Sequence, residues 1–340
     1  MIPKKVILDC DPGSDDAIAM MLAMKSDAID LIGVTTVNGN RIVPKTTENA
    51  LRVVQFMKSS VPVYRGCEEP IICNEIPGRK PGLPRVTLND CHGDFLPLPE
   101  AEIRTEKEHA VFYLVKTLME SEGDIDVAAV GPLTNLAMAL RIEPKIAGKI
   151  KQLVIMGGGH CGANASPAAE FNFYADPEAA KIVMDSAIPK VILPLDATWR
   201  ACLSEEKCKE LAQLGTPEAK VAAALVQKRI DNLKVNDVSE HNYALRHQAG
   251  TVAGAMLYRY DNHMAPIHDA LAIAYLIDEN VVTELADANV DIDIAGGLCD
   301  GRMVADFHNT KKCKAPVTAK VALNSDAGLF TDMLFAALGK

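Results

Sequence analysis

The hydrophobic positions of this chain switch period repeatedly along its length. Val6 to Leu8 is an unbroken apolar run, the mark of a strand buried on both faces. Ala17 to Met24 carries helix formers, opened by Ser14, Asp15 and Asp16 as cap and first-turn acids. Leu31 to Val37 reads as a β-branched strand, Thr46 to Met57 as a helix and Val61 to Tyr64 as a strand. Residues 66–100 hold Pro70, Pro77, Pro81, Pro84, Pro97 and Pro99 and read as a long irregular excursion, of a length that is functional or disordered in compact domains. The alternation then resumes. Helices are expected at Ala110 to Met119, Leu133 to Leu140 and Pro177 to Met184, the last capped by Asp176. Strands are expected at Ile125 to Val130, Leu153 to Met156 and Val191 to Leu195. Residues 204–262 read as mostly helical, with a polar break near Asn236 to His241, and Ile267 to Ile277 is an apolar helix. Val290 to Ile294, Met303 to Phe307 and Val317 to Leu323 alternate as strands before a last helix from Ala327. The pattern predicts an α/β fold over residues 1–340 as a single domain. Its sheet is Rossmann-like, mostly parallel, open and flanked by helices, with antiparallel strands near the C-terminus.

Composition narrows the function. Of 340 residues, 49% are hydrophobic and 24% charged, which excludes general disorder. The net charge of -10, without any Lys/Arg stripe, argues against a nucleic-acid partner. No apolar stretch approaches the ~20 residues of a membrane span, and the start reads as a strand instead of a signal peptide. Nine cysteines, scattered without a C-x-x-C pair, point away from a disulfide framework or zinc site and toward a reducing, cytoplasmic setting. Cys10, between two aspartates, reads as a small buried residue and not a nucleophile.

The densest chemical signal is D-C-D-P-G-S-D-D, Asp9 to Asp16, directly after the first strand. Ligands of open α/β sheets bind at the carboxyl ends of strands. Asp11, Asp15 and Asp16 so close together repel unless a cation or raised pKa values relieve them, and an all-oxygen cluster selects a hard cation. Helix-capping acids without a metal are the bland alternative. A phosphatase of the haloacid-dehalogenase type also starts with strand-D-x-D and uses Mg²⁺, but here Pro12 and Gly13 follow Asp11. In M-G-G-G-H-C-G, Gly157, Gly159 and Gly162 fit G-x-G-x-x-G, yet Asn164, Ser166 and Pro167 continue as loop, so the dinucleotide reading fails. These glycines suit tight turns or close approach to a ligand. Asn164, Glu170 and Asn172 lie in one short segment whose donors and lone pairs suit a polyhydroxyl ligand. The alternative there is loop residues bonding their own backbone. His268 and Asp269 open the apolar helix, and His92 lies in the Pro/Gly-rich excursion; each is structural or functional on its own evidence.

Taken together, D-C-D-P-G-S-D-D, T-T-V-N-G-N at Thr35 to Asn40, G-P-L-T-N at Gly131 to Asn135, M-G-G-G with N-A-S-P-A-A-E-F-N, and H-D at His268-Asp269 resemble the nucleoside hydrolase family, in its inosine-uridine-preferring branch. The likeness runs through nearly the whole chain. It implies one Ca²⁺ held by Asp11, Asp16, Asp269 and the main-chain oxygen of Val130, with Asp11 as general base for a calcium-bound water. It implies that Asp15 and Asn172 grip the ribose 2′- and 3′-hydroxyls, that Asn164 and Glu170 hold the 5′-hydroxyl, and that Met156, Asn40 and Phe171 line the sugar. His268 and His92 stand where purine-specific relatives stack tryptophans, which favours an inosine-uridine or pyrimidine type. The single Trp199 lies elsewhere and reads as core. The expected product is free base plus ribose, from a homodimer or homotetramer. The chain departs from the family after His92-Gly93, where it reads D-F-L-P-L-P, and through residues 215–262, where Tyr243, Arg246, His247, Tyr258 and Tyr260 are candidate base contacts. A non-catalytic nucleoside- or ribose-binding protein and, further off, a Mg²⁺-dependent phosphatase are the rival readings.

Overall fold

β1 (Lys4–Cys10) lies inside a nine-stranded sheet, parallel to β2 (Ile29–Thr36) on one side and to β4 (Ile125–Ala129) on the other. β3 (Val63–Arg65) extends the first side; β5 (Ile150–Met156), β6 (Lys190–Leu193) and β11 (Ala319–Ser325) extend the second, all in parallel. β9 (Val282–Ile292) pairs antiparallel to β11, and β10 (Met303–Asp306) antiparallel to β9. The order is therefore β10-β9-β11-β6-β5-β4-β1-β2-β3, the mostly parallel open sheet with C-terminal antiparallel strands that the pattern predicts. The computed structural model describes residues 2–72, 75, 92–235, 263–307 and 316–340.

Apolar runs in the central strands serve two layers at once, because successive side chains leave opposite faces. Val6, Leu8 and Cys10 join one core with α1 (Ser14–Lys25), α2 (Val43–Phe56), α9 (Pro217–Val235), α10 (His268–Ile277) and α11 (Ala327–Leu338). Ile7 joins the other, with α3 (Ala110–Glu120), α4 (Thr134–Ile142) and α6 (Pro177–Met184). Strand order reverses between β1 and β4: β1 leads into α1 on the first layer, β4 into α4 on the second. The crevice beyond their carboxyl ends is where such a sheet receives a ligand.

Most expected elements are found with ends moved by a few residues. Asp176 caps α6 as expected, its Oδ1 accepting the Ala179 N–H at 3.0 Å. The larger differences have physical causes. β9 begins at Val282 instead of Val290 because its first half, T-E-L-A-D, is largely solvent-facing and carries acids that hide the alternation. α5 (Phe171–Ala175), α7 (Leu195–Thr198) and the ribbon β7 (Cys202–Ser204)–β8 (Met264–Pro266) are too short to show a period. The helical expectation for 204–262 holds for α8 (Glu205–Gln213) and α9; residues 236–262 lie outside the described residues, as do the strongly Pro-rich positions 76–91.

Candidate active site

The chain leaves β1 at Cys10 and starts α1 four residues later, so Asp11, Asp15 and Asp16 converge on the helix N-terminus. Asp16 folds back on the turn: its Oδ1 accepts the Asp11 N–H at 3.2 Å and its Oδ2 the Gly13 N–H at 2.9 Å. Asn40, beyond β2, clamps both acids. Its N–H donates to Asp11 Oδ2 at 2.5 Å, and its side-chain amide to the Asp11 carbonyl and to Asp16 Oδ2. Asp11 is wedged between two glycine peptides: a Cβ at Gly39 would overlap its carboxyl, and one at Gly131 would lie 2.8 Å from Oδ1. The N-G-N and G-P-L sequences are thus spacing devices for one carboxylate.

Two histidines and an arginine close around this turn. The Ser14 N–H donates to His92 Nδ1 at 3.0 Å, which places the proton of the neutral ring on Nε2. That same Nδ1 is 3.7 Å from Asp15 Oδ1. His268, at the start of α10, has Nδ1 2.8 Å from the Thr198 hydroxyl. Asp269 beside it faces Asp15, Asp16 and Asp11 electrostatically. Arg229 of α9 sets Nη1 2.8 Å from Asp15 Oδ1.

Asp11, Asp15, Asp16 and Asp269 are all buried, none more than 6% exposed. Burial, then the neighbouring Asp16, holds the Asp11 carboxyl well above its ordinary range; burial with Asp15 and Asp16 does the same to Asp269. Asp16 is pushed up to about 6 by burial and by Asp15. Asp15 goes the other way: burial opposes its charge, but the Arg229 guanidinium, His92 and His268 outweigh that and hold it below the carboxylate range. Such a set is costly to ionise without a cation.

Oxygens of Asp15, Asp16 and Asp269 all come within 4.8 Å of one another, a spacing that fits one hard cation. This trio shares Asp16 and Asp269 with the ligand set that the family resemblance implies; Asp11 adjoins it through Asp16.

The sugar-facing candidates assemble across the crevice. Asn172 donates to the Val130 carbonyl at 2.8 Å and to the Met156 carbonyl at 3.0 Å, joining the ends of β4 and β5. Glu170 caps α5, accepting the Asn172 N–H at 2.9 Å on Oε1 and the Gly158 N–H at 2.8 Å on Oε2; burial lifts its carboxyl to about 7. Asn164 is more peripheral, its Oδ1 accepting the Phe171 N–H at 2.8 Å. In the glycine-rich loop, Gly158 takes φ +72° and Gly157 and Gly162 pack against the rings of Phe173 and Trp199. These glycines serve turns and packing, and Trp199 is core as expected.

Two participants were absent from the sequence expectations, Arg229 and Thr198. Each lies in an ordinary-looking helix and meets its partner only through tertiary packing. The candidate base contacts Tyr243, Arg246, His247, Tyr258 and Tyr260 fall outside the described residues. Cys10 is buried among the carboxylates, and its thiol is pushed well up by burial and by Asp16, which fits an inert role.

The sequence and the fold match a known family. The model of the inosine-uridine preferring nucleoside hydrolases matches residues 6–332. The pyrimidine-specific ribonucleoside hydrolase RihB of Escherichia coli O157:H7 is 36% identical over 337 aligned residues, covering 97% of this chain and 95% of the relative. The plant nucleoside hydrolase PpNRh1 superposes with a TM-score of 0.83 at 27% identity, over 99% of both chains. A purine-preferring ribonucleoside hydrolase from Gardnerella vaginalis gives 0.82 at 25% identity, over 99% of this chain and 98% of that one. The family model and the relatives together define an N-glycosyl hydrolase on a doubly wound sheet. The chain belongs to the inosine-uridine preferring nucleoside hydrolase family, whose members cleave ribonucleosides to free base and ribose.

Proposed function

We propose that this enzyme works with one resident Ca²⁺, with Asp11 as general base, and that its substrates are pyrimidine ribonucleosides together with inosine. The observation that carries the reading is the burial of Asp11, Asp15, Asp16 and Asp269 around one turn at the sheet's switch point. Asp11, Asp16, Asp269 and the Val130 carbonyl are the residues that would hold the cation, which supplies charge compensation for the carboxylates and acidifies water.

Asp11 accepts the proton of the attacking water, a role open to it only once its carboxyl is ionised. Asn40 and the flanking Gly39 and Gly131 hold its oxygens in place for that transfer. Asp15 and Asn172 grip the vicinal ribose hydroxyls, while Glu170 and Asn164 take the 5′ end and Met156 and Phe171 line the ring. These contacts, far from the bond being broken, position the sugar for attack. As the glycosidic bond opens, positive charge grows on the sugar and the buried carboxylates stabilise it. His268, oriented by Thr198, and His92, oriented by Ser14, stand as donors to the departing base.

The pyrimidine preference rests on the RihB relative and on histidines at positions where a purine site would stack tryptophan. A homodimer or homotetramer in the cytoplasm completes the reading. It is supported by exposed Phe112 and Ile142 on the neighbouring helices α3 and α4, and by the absence, among the described residues, of any disulfide or any helix long and apolar enough to cross a membrane.

The deciding experiment is a reducing-sugar assay with uridine, cytidine, inosine and adenosine, with and without chelator. Ribose release that chelation abolishes and calcium restores is expected, fastest with the pyrimidines. Tight nucleoside binding without release would replace hydrolysis with a binding function.

A further inference from the structure

We propose that Arg229 is the positioning residue for Asp15, and that it thereby sets how strongly the site prefers a sugar with both vicinal hydroxyls over a deoxy sugar. The inference rests on the assignment of Asp15 to the ribose made above. α9 packs on α1, and its Ala222, Val226 and Ile230 are fully buried in the apolar core. Arg229 interrupts that apolar series. Its side chain is 11% exposed and that of Asp15 8%, and Nη1 lies 2.8 Å from Asp15 Oδ1 and 3.4 Å from Ser14 Oγ, a contact spanning 215 residues of chain.

A pair this deep is expensive to desolvate and adds little net stability compared with apolar packing. Its geometric effect is specific, however. A guanidinium is planar and its stem is held by a packed helix, so it fixes the carboxylate it meets more narrowly than a flexible ammonium does. Among the described residues, Asp15 is the one of the four clustered carboxylates with an arginine ion pair. With Oδ1 held by Arg229, the plane of the carboxyl and the direction in which Oδ2 presents its lone pairs are set before substrate arrives. A hydroxyl donor at the sugar then meets a preorganised acceptor. Loss of the guanidinium frees Asp15 to turn out of this orientation, and its contact with the sugar weakens while the others persist.

The test compares kcat/KM for uridine, 2′-deoxyuridine and 3′-deoxyuridine in the wild-type holoenzyme and in Asp15→Asn, Arg229→Met and Arg229→Lys. Arg229→Met is expected to lower the uridine value roughly 10- to 100-fold, the range for hydrogen bonds to a charged group. The deoxy sugar that lacks the hydroxyl Asp15 holds should fall far less, so the ribose-to-deoxyribose ratio contracts; Arg229→Lys restores part of it. A general structural lesion would lower all three substrates together. If Asp15→Asn contracts the ratio but Arg229→Met lowers every substrate equally, the proposal is overturned and the ribose role of Asp15 stands. If Asp15→Asn leaves the ratio unchanged, both fall. Should Arg229→Met not fold, the double variant Asp15→Asn/Arg229→Met, which buries no unpaired charge, replaces it: a ratio equal to that of Asp15→Asn alone supports the proposal, and a further contraction overturns it.

Discussion

Asn135 donates its side-chain amide to Asp9 Oδ1 at 2.8 Å, joining the start of α4 to the end of β1 across 126 residues. Thr35 donates to the same oxygen at 2.5 Å, Asn135 also reaches the Thr36 carbonyl, and its own oxygen accepts the Cys67 N–H at 2.8 Å. One amide thus satisfies three backbone or carboxylate groups beneath the turn that carries Asp11, Asp15 and Asp16. Burial lifts the Asp9 carboxyl to about 6 even with these donors present. Asn135→Leu keeps the branched shape in a somewhat larger side chain and removes the partner of the Thr36 carbonyl and the Cys67 N–H, leaving Thr35 as the remaining donor to Asp9 Oδ1. The expected cost is about 3 kcal/mol, seen as a lower denaturant midpoint at unchanged slope.

Gly39 tests how closely the Asp11 carboxyl is confined. Gly39→Ala places a methyl where that carboxyl stands, so Asp11 must move while the buried strands beneath it do not. Turnover should fall at least roughly 100-fold, as for misplacement of a reacting group by about an ångström. Circular dichroism should remain that of a folded protein. Near-normal kinetics would mean that Asp11 does not set the rate.

The carboxylate cluster makes metal-free stability depend on pH. Asp16 has a folded value of about 6 against an ordinary 3.8, so between those values the folded state binds more protons than the unfolded one. Stability of the chelated protein therefore falls as pH rises from 4 to 7, by about 2 kcal/mol. Excess calcium should flatten that fall and add about 2.7 kcal/mol at a hundred times its Kd. Melting curves at pH 5 and pH 7.5, with and without calcium, measure both effects.

Lys190 gives the opposite slope. It is buried in β6, donates to the Ser186 and Ile188 carbonyls, and burial lowers its pKa from 10.5 to about 8. Between pH 8 and 10.5 the unfolded chain keeps a proton that the folded one has lost, so raising the pH through that window favours folding. Wild type should gain about 1–2 kcal/mol there, after allowance for solvent screening. Lys190→Met should lack that pH-dependent gain. Denaturant titrations at pH 7.5 and 10 compare the two proteins.

What could be read from the sequence followed the range of the interactions. The central strands announced themselves because burial on both faces leaves no polar position, as in Val6 to Leu8. Asp11, Asp15 and Asp16 could be read as a site because one turn carries them, and Asp269 because His268-Asp269 opens an otherwise apolar helix. Arg229 could not: Q-K-R-I-D-N resembles any solvated helix face, and only the packing of α9 on α1 turns that arginine inward. Glu170 was legible as a polar group but not as the cap of α5, since a five-residue helix leaves no periodicity to be capped. The early start of β9 was hidden because its exposed acids read as loop.

The reversal of strand order between β1 and β4 also governs when the enzyme becomes active. Its acids come from both ends of the chain, Asp11 near the start and Asp269 near the end, and parallel pairing of distant strands is slow to close. A partly refolded chain with β1, β2 and their helices in place holds three of the four carboxylates and lacks the Arg229 cation that faces Asp15. Their mutual repulsion then resists the final docking of α10. Recovered turnover should consequently lag recovered helix content during refolding, and calcium should shorten that lag.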